Sequence, residues 1–381
     1  MGTFTIKVFN SIDQVPKEQW NSLLVGHSAT LSHEFWQVVE KSRLNDFEYR
    51  YVMFFDEGNT AVALASLYSI TTDLAIFAPA GLRNVLGKVR RLFPNFLKLR
   101  MLECGTPITL NSPPFAVSKQ ASASEIIASL SELLIKTARA EGQFLIVVRD
   151  FEPNAEMYRQ DFERLGYHWV DSLPNTYMEI KWASPNDYVA SMKSYYRSKL
   201  LKHLQKNEDL KIRHELRDDF HEMADTLCDQ WLVVHNQADE FQREVLTPTF
   251  YREFSQKLGS SSKVLLFYRE NELVGHALLH MDGELLRWLY FGRNEARNDS
   301  LYIYVGYAVI ETAIQLGAKH LELGLTTYSI KQDLGAHCTP IRLALRSASR
   351  LINPFVGFFY PLMNHTPAIR NKNIFKKSAV T

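Results

Sequence analysis

Residues 263–345 constrain the fold more strongly than any other stretch of this chain. At the start of the stretch, β-branched and aromatic residues alternate with polar ones, and turn-forming residues interrupt them at 270–272 and at Asp282-Gly283. This pattern predicts three strands joined by two tight hairpin turns. The period then becomes helical at 301–315, returns to a strand at 320–325, and ends in a short helix at 328–335.

The long helix of this stretch has its own start and stop signals. Ser300 is a candidate N-cap because its hydroxyl can accept a bond from a free backbone N–H, and Gly317 is a candidate C-terminal stop. Apolar residues at 305, 308, 309 and 313 share one face, so we expect that face to be buried.

Three short motifs follow in order along these elements. "YFG" ends the third strand, "LELG" fills the strand after the long helix, and "YSIKQDLG" comes directly after it. The element order resembles the GNAT acyltransferase fold, and the motifs resemble those of tandem-GNAT proteins, namely the Fem-type aminoacyl ligases of peptidoglycan synthesis and related acyltransferases. The resemblance implies an α+β enzyme that transfers an acyl group to an amine.

The first half of the chain repeats the second in degenerate form. A hairpin with its turn at 56–59 matches the one at 263–280, and a helix ending at Gly142 and running into a strand matches the one ending at Gly317. We therefore expect two tandem GNAT-like domains, each with a mixed, mostly antiparallel sheet flanked by helices. The expected bounds are 1–174, degenerate and serving substrate binding, and 175–381, catalytic and ending in a poorly ordered basic tail.

The first copy carries an insertion near 79–118 with a basic amphipathic stretch at 83–100. Its cations, without an acidic residue among them, are Arg83, Lys88, Arg90, Arg91, Lys98 and Arg100. Such a stretch is either a solvated basic face packed on the core or a contact for an acyl-carrier protein, for tRNA, or for an anionic membrane surface.

Composition narrows the class of protein. A net charge of +1 predicts no overall attraction to nucleic acid, so a polyanion has to bind at local patches. Three cysteines without CxxC spacing argue for a reducing compartment and against a disulfide framework or zinc site. The N-terminus has no signal-peptide pattern. We expect a cytoplasmic location, with peripheral membrane attachment through residues 83–100 left open.

The resemblance also implies site residues. It places a functionally used lysine at Lys331, with Tyr328 on the same helical face. It places the donor's phosphates at the start of the long helix, where the candidate ligands are Arg293, Arg297 and Ser300. The residues before this helix lack the Q/R-x-x-G-x-G/A loop of coenzyme A-binding GNAT members, which weighs against an ordinary coenzyme A site.

Further candidates come from other elements. His276 and His280 share one strand face; His276 is a candidate titrating group, hydrogen-bonded packing is the alternative, and no third metal ligand is suggestively spaced. Arg197 and Lys199, on the helix that opens the second domain, are candidate anion ligands or part of a solvated face. The remaining pair, His235 and Glu240, fits an acceptor site or a structural role.

These features predict an N-acyltransferase that moves an acyl group from an activated donor to an amine acceptor. The donor would be an acyl-CoA or acyl-carrier protein, used as co-substrate, and no tightly bound cofactor is expected. The alternatives are Fem-type aminoacyl transfer from charged tRNA and a catalytically inactive binding module.

Overall fold

A computed structural model describes residues 4–73, 80–94, 96, 98–108, 111–237, 244–295, 300–363 and 370–376. The chain divides into two compact units. The first comprises Met1–Leu173 and Pro340–Pro367, and the second comprises Pro174–Thr339 and Ala368–Thr381. The expected second domain, 175–381, is therefore wrong for one segment, because the strand that follows Pro340 pairs with two strands of the first unit.

The first unit is built on one mixed sheet. With elements numbered in chain order, its strands are β1 (Thr5–Phe9), β2 (Glu48–Phe55), β3 (Ala61–Asp73), β4 (Lys98–Cys104), β5 (Phe115–Val117), β6 (Leu145–Phe151), β7 (His168–Asp171) and β15 (Arg342–Ser347). The spatial order is β1-β2-β3-β4-β6-β15-β7, and β5 also pairs with β3. The pair β4 and β6 is parallel, and the other described pairs are antiparallel.

Six helices accompany this sheet in the described residues. They are α1 (Lys17–Ser22), α2 (His33–Lys41), α3 (Ala80–Arg90), α4 (Ala123–Ala140), α5 (Arg159–Arg164) and α12 (Asn353–Met363). Helix α4 packs its apolar stripe, including Ile126, Leu130 and Leu134, into the core against the sheet. The predicted hairpin and its turn at 56–59 are confirmed, since Asn59 N donates to Asp56 O.

The second unit has its own mixed sheet. Its strands are β8 (Asn175–Glu179), β9 (Ile212–Arg217), β10 (Ser262–Arg269), β11 (Glu272–Asp282), β12 (Leu285–Arg293), β13 (His320–Gly324) and β14 (His337–Thr339). The spatial order is β14-β8-β13-β12-β11-β10-β9. The pair β12 and β13 is parallel, and the other described pairs are antiparallel. Its helices are α6 (Pro185–Ser191), α7 (Ser194–Asp209), α8 (Ala224–His235), α9 (Pro248–Leu258), α10 (Leu301–Gln315) and α11 (Tyr328–Asp333).

The long helix α10 matches its sequence prediction. It buries the expected face, including Val305 and Val309, in the core of the second unit, and Gly317 follows it with φ +69°. Ser300 occupies the N-cap position, but its Oγ lies 3.0 Å from His203 Nδ1 on α7. The cap residue therefore ties α10 to α7. The predicted fold class, two mixed sheets flanked by helices, is confirmed.

The basic stretch is divided between two elements, since α3 ends at Arg90 and Lys98 and Arg100 lie on the central strand β4. One local expectation is wrong. The C-terminal tail is ordered at 370–376, where Phe375 packs on Trp182 with ring centroids 5.0 Å apart. An aromatic side chain offers enough apolar surface to hold a short tail in place. In the described part of the chain, no helix is both long and apolar enough to cross a membrane.

Candidate active site

The parallel strands β12 and β13 of the second unit separate soon after they meet. They pair only from Leu285 to Arg287, against His320 to Glu322. Beyond that point β13 remains paired only with β8, its partner from His320 to Gly324, while β12 keeps β11 as its neighbour and carries a bulge at Leu289. A bulge increases local twist and redirects backbone groups. The C-terminal part of β12 thus presents an edge that β13 does not cover.

The loop after β13 is held in a rare backbone conformation. Gly324, Thr326 and Thr327 have φ values of +75°, +59° and +44°, which only glycine adopts without strain. Side chains fix the loop from three sides: Thr176 Oγ1 donates to Gly324 O at 2.5 Å, Tyr302 OH lies 2.9 Å from Thr327 Oγ1, and Tyr328 OH donates to Pro174 O at 3.0 Å. Strain of this kind persists where the surroundings over-determine it, often at ligand sites.

Lys331 lies on α11 beside this loop and is buried, with 3% of its surface exposed. Its Nζ donates to Leu325 O, and no carboxylate of the described residues lies within ion-pair distance of it. Burial lowers its pKa to about 7, although the charge of Glu322 acts in the opposite direction. Lysine side chains are rarely buried to this extent. A buried lysine with one backbone partner is a marked functional candidate.

Glu322, on β13, is the buried carboxylate that sequence reasoning did not single out. It accepts bonds from Asn175 Nδ2 at 2.7 Å and from Arg287 Nη1. Arg287 also donates to Asp282 Oδ2 through Nη2 at 2.8 Å. The network fixes the point where β12 and β13 part. The signal in the sequence is the acidic residue inside the apolar "LELG" strand, because a charge there needs a buried partner.

The hydroxyl of Tyr328 is hydrogen-bonded and helps to hold the loop after β13 in place. Its OH bond to Pro174 O ties the start of α11 to the start of β8. Lys331 lies one helical turn further along α11.

His276 lies in the core of the second unit and has a hydrogen-bond partner at each ring nitrogen. It is fully buried between β11 and helices α8 and α9, with Nδ1 2.8 Å from Gln230 Oε1 and Nε2 3.0 Å from Tyr251 OH. Burial lowers the pKa of His276 to about 3 and that of His280 to about 4. Burial of the ring therefore favours the alternative, hydrogen-bonded packing, over titration of His276 near neutral pH. No group of described residues is arranged to hold a metal ion.

This assignment has a direct test. His276→Leu should lower the free energy of unfolding by about 1 to 3 kcal/mol, because Gln230 and Tyr251 would each lose a buried hydrogen-bond partner. The kcat per folded molecule should not change. Urea unfolding and an assay normalised to folded protein measure the two quantities, with the exposed His337→Leu as control. A fall in kcat beyond the loss of folded protein would assign His276 to the chemistry.

The structure describes two of the three candidate phosphate ligands, Arg293 and Ser300. Arg293 is buried at the end of β12, opposite Gly275. Ser300 is hydrogen-bonded to two side chains of α7. Its Oγ contacts His203, and its carbonyl accepts a bond from Asn207 Nδ2 at 3.2 Å. Arg297 lies outside the described residues.

A small groove lies between α7, α10 and α11. It is lined by Tyr196, Lys199, Leu200, His203, Ile303, Ile330, Asp333 and Leu334. The hydrogen bond from Lys199 Nζ to Asp333 Oδ2, at 2.6 Å, raises the pKa of this lysine. Arg197 lies near the start of the same helix α7. The two predicted anion ligands are therefore on the helix that borders Lys331's own helix, α11.

The candidate acceptor pair is only half described. His235 stacks on Trp231 with ring centroids 4.4 Å apart, and burial lowers its pKa while Glu244 opposes that shift. Glu240 lies outside the described residues. The buried carboxylate that the structure does show nearby is Glu244, which accepts a bond from Tyr290 OH at 2.6 Å.

Comparison with solved structures shows which fold this chain shares with known proteins. A solved structure of FemX matches with TM-score 0.55 at 11% identity, covering 88% of this chain and 96% of that one. A tandem GNAT protein from the clavulanic acid biosynthesis pathway matches with TM-score 0.54 at 10% identity, covering 91% and 99%. L-PGS from Bacillus licheniformis matches with TM-score 0.52 at 12% identity, covering 92% and 98%. At these identities the likeness shows a shared tandem GNAT fold.

The family follows from the sequence comparison. The family model FemAB_like, described as peptidoglycan biosynthesis/recognition, matches residues 11–327, so the chain belongs to that family. Two proteins of Mycobacterium tuberculosis strains, provisionally named 8-amino-7-oxononanoate synthase 2, are 26% identical over 330 residues, covering 84% of this chain. The chain spans 42% of the length of these relatives. The predicted resemblance to Fem-type tandem-GNAT proteins is confirmed.

Proposed function

We propose that the second unit transfers an acyl group from an activated donor, an acyl-CoA or acyl-carrier protein, to the nitrogen of an amine. The observation that carries this proposal is the buried Lys331 beside the point where β12 and β13 part. Membership in a family with a transferase-like fold supports the reaction class.

The reaction balances with groups of the second unit in defined roles. The amine nitrogen attacks the thioester carbonyl, the C–N bond forms, and the thiolate leaves with the C–S electron pair. The proton lost by the amine passes to the leaving thiolate or to water. Backbone N–H groups on the uncovered edge of β12 are the proposed oxyanion donors. The ammonium of Lys331 is proposed to stabilise negative charge on that oxygen or on the donor.

The charge state of Lys331 fits this role. Near pH 7 the lysine exchanges readily between its neutral and charged forms, because its pKa is about 7. An anion placed next to it favours the ammonium and raises the pKa. Nζ has three N–H bonds, and one of them is used on Leu325 O. The other two are proposed to contact the substrate.

The donor's phosphates are proposed to lie along the start of α7, near Arg197 and Lys199, and near Arg293 and Arg297. The double variant Arg197→Ala/Lys199→Ala should raise the KM for the donor by about tenfold per residue, since each charged hydrogen bond contributes about 1.5 kcal/mol. Steady-state kinetics with a medium-chain acyl-CoA measures this effect. Lys257→Ala, an exposed lysine of α9, is the matched control. An unchanged KM in the double variant would remove α7 from the donor site.

A second candidate is aminoacyl transfer from charged tRNA. It is favoured by the row of cations on or next to α7, which are Lys193, Arg197, Lys199, Lys202 and Lys206. A polyanion bound by such a row binds more weakly as salt rises. If uncharged tRNA inhibits the reaction at low salt and no longer inhibits it at high salt, the donor is a charged tRNA. If coenzyme A inhibits the reaction equally at low and high salt, the donor is a thioester.

A further inference from the structure

Helix α12 of the first unit presents an apolar outer face to solvent. Its exposed side chains, with those of the turn before it, are Leu351, Ile352, Phe355, Phe358 and Phe359. Leu351 is 86% exposed and Phe358 is 66% exposed. The three phenylalanines recur at helical spacing, so they form one stripe. A surface helix normally directs polar residues outward, and a contiguous exposed apolar stripe marks an interaction site.

The inner face of α12 is firmly attached, so the outer face is a defined surface. Val356 and Tyr360 pack on a small apolar cluster of the first unit's sheet. Asn353 accepts a bond from Ser347 N at 2.8 Å and donates to Gly166 O at 2.7 Å. Gly357 approaches the His168 ring so closely that a Cβ there would lie 2.4 Å from Nδ1. These contacts determine which side of α12 faces outward.

Three arginines gather just before this helix. Arg139, in the last turn of α4, donates from Nε to Ala348 O at 3.1 Å, and Arg346 and Arg350 stand two residues to either side of Ala348. Arg346 is held by Leu165 O and the face of the Tyr167 ring. None of the three lies within ion-pair distance of a carboxylate in the described part of the chain. Burial lowers the pKa of Arg346, and its two neighbouring positive charges add to that effect.

We propose that the apolar stripe of α12 and this arginine triad, together called the α12 surface, dock on an anionic lipid bilayer. Phenylalanine and leucine side chains insert at the level of the headgroups and upper acyl chains. The exposed guanidinium groups of Arg139 and Arg350 bind lipid phosphates, and the charge of Arg346, which is buried, adds to the positive potential around them. The inference concerns the first unit and does not rest on the proposed reaction.

A bilayer fits this surface better than a nucleic acid or a protein groove. RNA would neutralise the arginines, but it would leave five apolar side chains in water. A protein partner would need a long apolar groove lined by acidic groups at one end. A bilayer supplies an apolar phase and phosphates side by side, so it can take up an apolar stripe and the arginines that precede it along the chain.

Vesicle flotation with the full chain tests the proposal. Vesicles of phosphatidylglycerol mixed with phosphatidylcholine should carry the protein upward, and vesicles of phosphatidylcholine alone should carry much less. The triple variant Phe355→Ser/Phe358→Ser/Phe359→Ser should reduce the partition constant by more than about tenfold, because three apolar side chains no longer insert. Arg350→Glu should reduce it about tenfold on the anionic vesicles only.

Matched controls separate this effect from general surface changes. Val25→Ser, at a site 85% exposed, and Lys119→Glu change polarity and charge elsewhere in the first unit and should leave flotation unchanged. If the triple variant melts early, Phe358→Ser alone replaces it. Wild-type protein that stays unbound on anionic vesicles, or variants that float as well as wild type, would overturn the proposal. A wild-type dimer that the triple variant converts to monomer would assign the surface to a second copy instead.

Discussion

Lys331→Met is expected to reduce kcat by about 100-fold or more while it makes the second unit more stable. The loss of activity follows from removing a positive charge where negative charge develops in the transition state. The gain in stability follows from burial. Methionine fills similar volume without a charge that must leave water, and the pKa of Lys331, lowered from 10.5 to about 7, reports the size of that penalty.

The expected change in the free energy of unfolding of Lys331→Met is a balance of two effects. The lowered pKa corresponds to at most about 4 to 5 kcal/mol of unfavourable burial at about 1.4 kcal/mol per pH unit. The lost hydrogen bond to Leu325 O offsets about 1 to 3 kcal/mol of it. The net increase in the free energy of unfolding should be about 1 to 3 kcal/mol at pH 7, measured by urea denaturation.

The pH dependence has a defined sign. The pKa of Lys331 is lower in the folded state, so the unfolded chain binds more protons between pH 7 and 10.5. This group therefore makes wild-type stability rise with pH across that window. The stability difference between Lys331→Met and wild type should be largest below pH 7 and should fall towards 10.5, where only the effect of the lost hydrogen bond remains.

Two further variants control this experiment. Lys257→Met, at an exposed lysine, should change neither kcat nor stability appreciably. Lys331→Arg should recover activity only in part, because the guanidinium keeps the charge without the compact geometry. A Lys331→Met protein that retains wild-type kcat, or that loses activity only in proportion to folded protein, would show that the lysine takes no part in the reaction.

Glu322→Ala should lower the free energy of unfolding by about 3 to 5 kcal/mol, because it leaves the buried Arg287 with Asp282 as its remaining charged partner. Asn175 would also lose the acceptor of its side-chain bond. The charge of Glu322 supports the protonated form of Lys331, so its removal should lower the pKa of Lys331 further. The kcat at pH 7 should then fall more than the folded fraction.

The control for this variant is Glu284→Ala, at an exposed glutamate paired with Lys319. An exposed pair of this kind contributes about 1 kcal/mol or less, so that variant should unfold almost as wild type does. Equal effects of the two substitutions in urea denaturation would show that the network around Glu322 does not hold β12 and β13 together.

The sequence predicted the fold well where local signals and packing agree. Helix α10 begins and ends as expected because the apolar stripe containing Val305 and Val309 is long and Gly317 stops it. The last strand, β15, was assigned to the wrong domain. Its alternating residues indicate a strand, but nothing in their pattern says which sheet contains the complementary edges.

For the candidate site, the sequence pointed to a residue but not to its environment. The motifs identified Lys331, but its burial depends on the strained loop at 324–327, which spacing along the chain does not reveal. The burial of His276 was not predictable for the same reason, since its partners Gln230 and Tyr251 come from distant helices. Burial of polar groups is a tertiary property, and it decides their pKa values.

The most direct test is a transfer assay read by mass spectrometry. Purified protein is incubated with a primary amine and, separately, with an acyl-CoA, an acyl-carrier protein thioester and a charged tRNA. The amide is then quantified for wild type and for Lys331→Met. We expect amide from a thioester donor with wild type and about 100-fold less with the variant. Absence of amide with every donor, or equal amounts from both proteins, would contradict acyl transfer at this site.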